Sequence, residues 1–461
     1  MDTTFYSDSI KSSPIFHCDT RDFNFDHPIK KIFFDNIDYI RSLDASGKSR
    51  PCVLDNIERS LLCHTAYLGY DQFDCPKCNN WNIIPHSCHS RFCNACGVKY
   101  AKQLAAKATS FCVDYPHRHI VFTIPKELRR WFREDRKRLN ILFVASRNTI
   151  SILTNKSLSD KLKKKKISDT HYIFKDFPVR NVFGMIATLH TFGRNLQWNP
   201  HIHCLIPELI YSTKKDKIKR FHHFHFKKLR KTFQFELIRL MQEAGAFKDY
   251  SQKNKHYKDH PNGFYVYAKC KSDDNTDDKT SSKHSKNIQG CINYFIRYAG
   301  RPAMAENRIT NYDKENNTVS WFFHDHRDDK RYDITDNVKD FIKRLIIHIP
   351  DYHFLTTRYY GFYSNASNKI LDQVHELLGI KNKKDYSRKA RTKALKDKLN
   401  KFKYRTHLID SFNRDPLKCK CGAIMQYTYT CNPLEGIKND RAYRKRCIDE
   451  MYEMRLRRGS T

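Results

Sequence analysis

The chain has 461 residues, with 85 Lys plus Arg against 50 Asp plus Glu and a formal charge of +35. It is long enough for several modules around a sizeable core, and its basic excess points to a polyanionic partner on whose unpaired bases the 26 Tyr and 31 Phe rings could stack. No apolar run reaches the ~20 residues of a spanning helix, and the polar start MDTTFYSDSIKSS lacks the basic-then-apolar build of a secretory signal. The expected setting is therefore the cytosol, with no membrane partner, and 16 cysteines there argue for metal or free thiols over disulfides.

Residues 1–45 mix polar and aromatic side chains without a strong period and are expected to form an extension. A zinc-binding module is expected over 46–112. Six cysteines fall in CHTAYLGYDQFDCPKCNNWNIIPHSCHSRFCNACG. Cys75/Cys78 and Cys93/Cys96 form two Cys-x-x-Cys knuckles at a spacing that lets two tight turns present four thiolates to one structural zinc. Cys63, His64, His86, Cys88 and His89 are left over, enough for a second zinc or for variant ligation. The stretch is too polar to fold by burial alone.

A helix is expected next, in VKYAKQLAAKATSFCVDY. It is followed by a short buried strand, His119 to Ile124, stopped by Pro125, and by the basic amphipathic segment LRRWFREDRKRLNILFVASRNTISIL. KLKKKKISD reads as a solvated loop. FGMIATLHTFGRNLQWNPHIHCLIP reads as two strands joined by a turn near 193–199. In the second strand His201 and His203 flank Ile202, so both imidazoles project from one face while Ile202 points to the core. Two neutral imidazoles so placed make half of a metal site. Two other His-x-His pairs, His223/His225 in a basic stretch and His324/His326, show that the pattern alone decides nothing.

Residues 271–287, KSDDNTDDKTSSKHSKN, form a low-complexity insertion, and IQGCINYFIRYAGRPAM follows directly. Its apolar residues recur at helical spacing, which places Tyr294 and Tyr298 on one face a turn apart. Gly300 and Pro302 end the helix, while Arg297 and Arg301 flank the tyrosines with guanidinium groups suited to phosphate. Metal-bound histidines and a tyrosine hydroxyl are the parts of a nuclease that attacks a phosphodiester and conserves its energy as phosphotyrosine. Near the C-terminus DPLKCKCGAIM carries Cys419 and Cys421, one residue short of a standard knuckle, with Cys431 and His407 as possible companions. Cys18, Cys52, Cys112, Cys204, Cys270, Cys291 and Cys447 read as ordinary small apolar residues.

The succession SCHSRFCNACG, HIVFTIPKELR, LHTFGRNLQWNPHIHCLIP, INYFIRYAGRP, RITNYD, FIKRLIIHIPDYHFLTTRYYGF and DPLKCKCG resembles the rolling-circle insertion-sequence transposases of the two-tyrosine HUH class, the IS-ninety-one-like family, from about residue 50 to 425. The resemblance implies that His201 and His203 are the metal pair and Tyr294 and Tyr298 the nucleophiles. The third ligand expected from the neighbouring strand is His190, and the catalytic ion would be Mg²⁺ or Mn²⁺. It further implies that the zinc module helps grip element DNA; Cys63 and Cys88 stand beside the four knuckle cysteines as zinc-ligand candidates, and the expected setting is the bacterial cytoplasm, associated with the nucleoid.

The expected fold is thus α+β. The zinc module precedes a central antiparallel-sheet HUH nuclease domain flanked by helices (113–305) and a basic C-terminal region (306–461). The expected function is cleavage and rejoining of single-stranded DNA at mobile-element ends, with no small-molecule substrate. A rolling-circle replication initiator or relaxase would share the chemistry. A zinc-dependent DNA-binding regulator would need the cysteines but neither tyrosine.

Overall fold

The structure is a computed structural model that describes residues 27–155, 180–221, 225–268, 302–325, 328–379, 387–400, 405–406, 409, 415–432 and 441–459. The KLKKKKISD run, the 271–287 insertion and the expected helix after it lie outside these residues. The fold is α+β, with antiparallel sheets throughout. The chain forms two compact units, one from 1–100, 301–352 and 400–461 and the other from 101–300 and 353–399. The region expected as a separate C-terminal part, 306–461, is shared between them.

The second unit is built on a seven-stranded sheet. Its order is Lys217–Arg220, Leu209–Ser212, Asn181–Phe192, Trp198–Pro207, His117–Thr123 and Val266–Ala268, and Thr357–Gly361 also pairs with Asn181–Phe192. The expected strands thus form, with the turn near 193–199 closed by Gly193 N–H donating to the Gln197 carbonyl at 3.0 Å. Alternation sorts the central strands cleanly. Ile120 and Phe122, Met185, Ala187 and Leu189, and Ile202, Cys204 and Ile206 all enter one buried core. That core also takes Leu142 and Phe143 from the helix Leu139–Thr154, and Phe233 and Leu237 from the helix Phe226–Glu243.

The basic amphipathic segment divides at Asp135. Its carboxylate accepts the Lys137 N–H at 2.9 Å, starting a short turn that separates the helix Arg129–Glu134 from Leu139–Thr154. Between the two long helices a buried polar pair, Asn148 donating to Glu236 at 2.8 Å, is satisfied by a further salt bridge from Arg239 to Glu236. The Thr357–Gly361 strand ends where Gly361 takes φ +61°. A Cβ there would lie 1.6 Å from the Phe183 carbonyl oxygen, so this close approach requires glycine.

The first unit holds two three-stranded sheets. In one, Tyr70–Asp74 lies between Trp81–Pro85 and Gln426–Cys431; in the other, Thr318–Asp325 lies between Ile309–Asp313 and Lys330–Asn337. Trp321 is fully buried and its indole N–H donates to Asp336 at 2.9 Å. The helix Val338–Ile346 begins at Asn337, whose side chain accepts the Lys339 N–H. The C-terminal helix Arg441–Gly459 belongs to this unit. Its Arg444, 1% exposed, is gripped by Asp55 at 2.7 Å and Glu58 at 3.1 Å from the helix Pro51–Leu61.

Candidate functional site

In the second unit the sheet face opposite the helix-packed core carries the histidines. Antiparallel register sets His190 directly across from His201 and Thr188 across from His203. The period of two then puts His190, His201 and His203 on one face, and their ligand nitrogens lie within 4.8 Å of one another. Ring centroids are 4.5 Å apart for His190 and His203, 4.8 Å for His201 and His203, and 5.5 Å for His190 and His201. His190 and His203 are buried and His201 is half-buried.

The ring environment favours neutral imidazoles. Burial pushes His201 down to about 4, with the Asn199 carbonyl opposing and the Arg129 charge adding to the fall. His203 is held well below the usual histidine range by burial and by the neighbouring imidazoles of His190, His201 and His119. Neutral rings are the ligand form, so at neutral pH no proton competes with a cation for them. The Asn199 carbonyl lies 2.6 Å from His201 Nδ1, which fixes the donor proton there and leaves Nε2 as the coordinating nitrogen. The donor set fits a divalent cation.

One residue of this site escaped the sequence reading. His119 sits in the adjacent strand, its Nε2 2.8 Å from Nδ1 of His203 and its ring stacked on that imidazole at 5.0 Å. Nothing in HRHIVFT distinguishes it. Only the register, which pairs His203 with Val121 and His119 with Leu205, brings it alongside. The strand that carries the pair is anchored at its start by Trp198, whose N–H donates to the Arg129 carbonyl at 2.9 Å while Arg136 stacks 3.9 Å over the indole.

The other His-x-His pairs do not join a metal-binding cluster among the described residues. His225 precedes a helix, His324 is an exposed strand residue, and His223 and His326 lie outside the described residues. Tyr294, Tyr298, Arg297 and Arg301 lie outside them as well.

In the first unit the cysteines pair differently from the sequence expectation. Cys75 and Cys78 do not share an ion with Cys93 and Cys96. Instead Cys63, Cys88, Cys93 and Cys96 form one buried tetrathiolate cluster, and Cys75, Cys78, Cys419 and Cys421 form another. Sequence spacing cannot decide this, because the Cys93/Cys96 turn opens the helix Asn94–Phe111 and folds back onto Cys63 and Cys88. Sγ atoms of Cys63 and Cys96, and of Cys88 and Cys96, are each 3.6 Å apart. His64, His86, His89 and Cys431 join neither cluster, and His407 lies outside the described residues.

Crowding makes the buried cluster a cation site. Hydrogen bonds from Cys63 and Cys88 bring Cys93 down to about 6, while contact with Cys63, Cys93 and Cys96 pushes Cys88 up. Four adjoining sulfurs ionise together only around a metal. The donor set and closed geometry are those of structural zinc.

Comparison with known proteins bears on both units. A family model described as "Transposase zinc-binding domain" matches residues 35–124, and one described as "Putative transposase" matches residues 184–370. The chain is 27% identical to the transposase for insertion sequence element IS801 of Pseudomonas savastanoi pv. phaseolicola, over 87% of this chain and 89% of that protein. It is 24% identical to "Putative transposase y4qJ" of Sinorhizobium fredii, over 69% and 76% respectively. No solved structure matches the chain. Among the described residues no helix is long and apolar enough to cross a membrane.

Proposed function

The chain belongs to the IS91-family transposases that carry an N-terminal zinc-binding domain, and from that premise we propose that it nicks and rejoins single-stranded DNA at the ends of a mobile element through a 5′-phosphotyrosine. The observation that carries this reading is the cluster of His190, His201 and His203 on adjacent strands, inside the region matched by the transposase family model. A divalent ion held there, Mg²⁺ or Mn²⁺, would supply charge withdrawal from a scissile phosphate. His201 presents Nε2 because Asn199 takes its Nδ1 proton, and His119 orients His203 through Nδ1.

Tyr294 or Tyr298 is the nucleophile in this proposal. The phenolic oxygen bonds to phosphorus, the bond from phosphorus to the 3′ oxygen breaks, and the phenolic proton ends on the released 3′-hydroxyl. Rejoining reverses these bonds without outside energy. Two tyrosines four residues apart in the sequence take successive strands at one site, Arg297 and Arg301 contact the flanking phosphates, and the zinc-binding domain holds element DNA.

Incubation of the protein and Mn²⁺ with single-stranded DNA spanning an element end should yield a denaturant-resistant adduct on the 5′-phosphate exposed at the nick. Tyr294→Phe with Tyr298→Phe should eliminate it. An adduct that survives the double substitution, or nicking that leaves only a free 5′-phosphate, overturns the reading in favour of another nucleophile.

A further inference from the structure

We propose that Cys75, Cys78, Cys419 and Cys421 bind a second structural zinc, and that this ion clasps the 415–432 hairpin onto the N-terminal zinc-binding domain. Sequence spacing alone leaves the Cys419-Lys420-Cys421 pair an incomplete knuckle, and the matched zinc-binding domain, residues 35–124, does not include it. The fold completes it from 341 residues away.

The sulfur geometry is that of a tetrahedron's edges. Cys75 and Cys421 Sγ are 3.4 Å apart, Cys78 and Cys419 3.6 Å, and Cys78 and Cys421 3.7 Å. Zinc–sulfur bonds of about 2.3 Å in a tetrahedron give an edge of about 3.8 Å, and the buried Cys63 cluster has the same separations. All four are free thiols. Donors already converge on them: Lys77 N–H reaches Cys75 Sγ at 3.4 Å, and the Asn80 amide reaches Cys78 Sγ at 3.4 Å.

The surrounding backbone is shaped to deliver the C-terminal pair. Cys419 N–H donates to the Ala423 carbonyl at 2.8 Å, and Gly422, at φ +86°, turns the chain so that two cysteines separated by one residue face the same point. The following strand Gln426–Cys431 pairs antiparallel with Tyr70–Asp74, which leads directly into Cys75. Gly69 marks the close packing at the other end of this strand pair. A Cβ on it would lie 2.7 Å from the Cys431 carbonyl oxygen.

Burial cannot hold this hairpin by itself. Its apolar cluster consists of Leu417, Ala423 and Met425 with the ligand sulfurs, backed by Phe73 and Ile84, a core of the size that small domains supplement with a metal. Zinc here ties two ends of the sequence together, and the Arg444 pairing with Asp55 and Glu58 adds a second tie from the C-terminal helix.

The test counts metal in the full chain carrying His201→Ala, so that the imidazole cluster contributes none. Purified protein should hold two zinc equivalents, one for each thiolate cluster. Cys421 is exposed, so Cys421→Ser removes a ligand without opening a cavity, and it should lower zinc to one equivalent and halve the thiolate-to-metal charge-transfer absorption of the cobalt-substituted protein. Cys421→His, which keeps a zinc ligand, should restore the second equivalent, whereas a sulfur needed only for packing would not be replaced this way. One equivalent in the parent chain, two equivalents in Cys421→Ser, or loss of both together would each overturn the proposal.

Discussion

The Cys63 cluster and the histidine cluster place metal-binding groups in opposite ways. The four thiols are all buried and fill a tetrahedral shell with sulfur alone, drawing on residues spread from 63 to 96 through turns and a helix start. The three imidazoles stand on an antiparallel sheet, contribute only nitrogen, and would leave an ion held there coordination positions for oxygen ligands. In the first region the metal makes the fold; in the second the fold makes the site. The helix-packed core behind Ile202 and Leu189 is complete without any ion.

That contrast breaks if the thiolate cluster proves dispensable. Folding of zinc-bound peptides draws about 10–16 kcal/mol from the metal, so Cys63→Ser or Cys93→Ser should leave the zinc-binding domain unfolded. Zinc content and protease sensitivity of residues 27–100 would measure this, and a folded, zinc-free variant would show that burial of Ile32, Phe33 and Ile57 suffices.

The histidine site should show the reverse separation of function from stability. His203→Ala and His201→Ala should each reduce nicking by at least about 100-fold, with single-stranded DNA binding near normal because phosphate contacts elsewhere carry most of that affinity. Thermal stability should change little, since both rings lie on the face away from the main core. A large fall in melting temperature with parallel loss of DNA binding would mean that the imidazoles are structural. A smaller effect is expected at His119, which touches His203 and not a metal. His119→Gln should weaken Mn²⁺ affinity by about 10–100-fold and be partly rescued at high Mn²⁺, whereas His203→Ala should not.

The same contrast explains what the sequence could disclose. Strand periodicity is local, so the shared face of His201 and His203 was legible in WNPHIHCLIP, whereas His190 came only from the family resemblance, which implies a third ligand on the neighbouring strand. His119 was not, because its place depends on a register that no short stretch encodes. The knuckles Cys75/Cys78 and Cys93/Cys96 announced zinc clearly, yet their grouping was misread. Which thiols meet is decided by strand pairing between 70–74 and 426–431 and by the return of the 94–111 helix, both long-range. Cys419 and Cys421 looked one residue short because a left-handed glycine after them is invisible to spacing.

Acid should sharpen the comparison last, through a group that belongs to neither metal cluster. His375, on the helix Asn368–Leu377, is buried, and burial together with the Arg391 charge pushes it down to about 4 despite the opposing Asp372 carboxylate. Between its ordinary value of 6.5 and about 4 the unfolded chain binds a proton there that the folded chain excludes. Stability therefore rises with pH across this window and is lost as pH falls through it, by at most about 1.4 kcal/mol per pH unit for this one group. His375→Gln should flatten that part of the pH–stability curve in the second unit while leaving zinc release from the first unresponsive to the substitution. Denaturant melts at pH 7 and pH 5, followed by zinc release in the same samples, separate the two. An unchanged slope in the variant would place the acid sensitivity of this unit with the other buried histidines, His117 among them, which burial also holds at about 4.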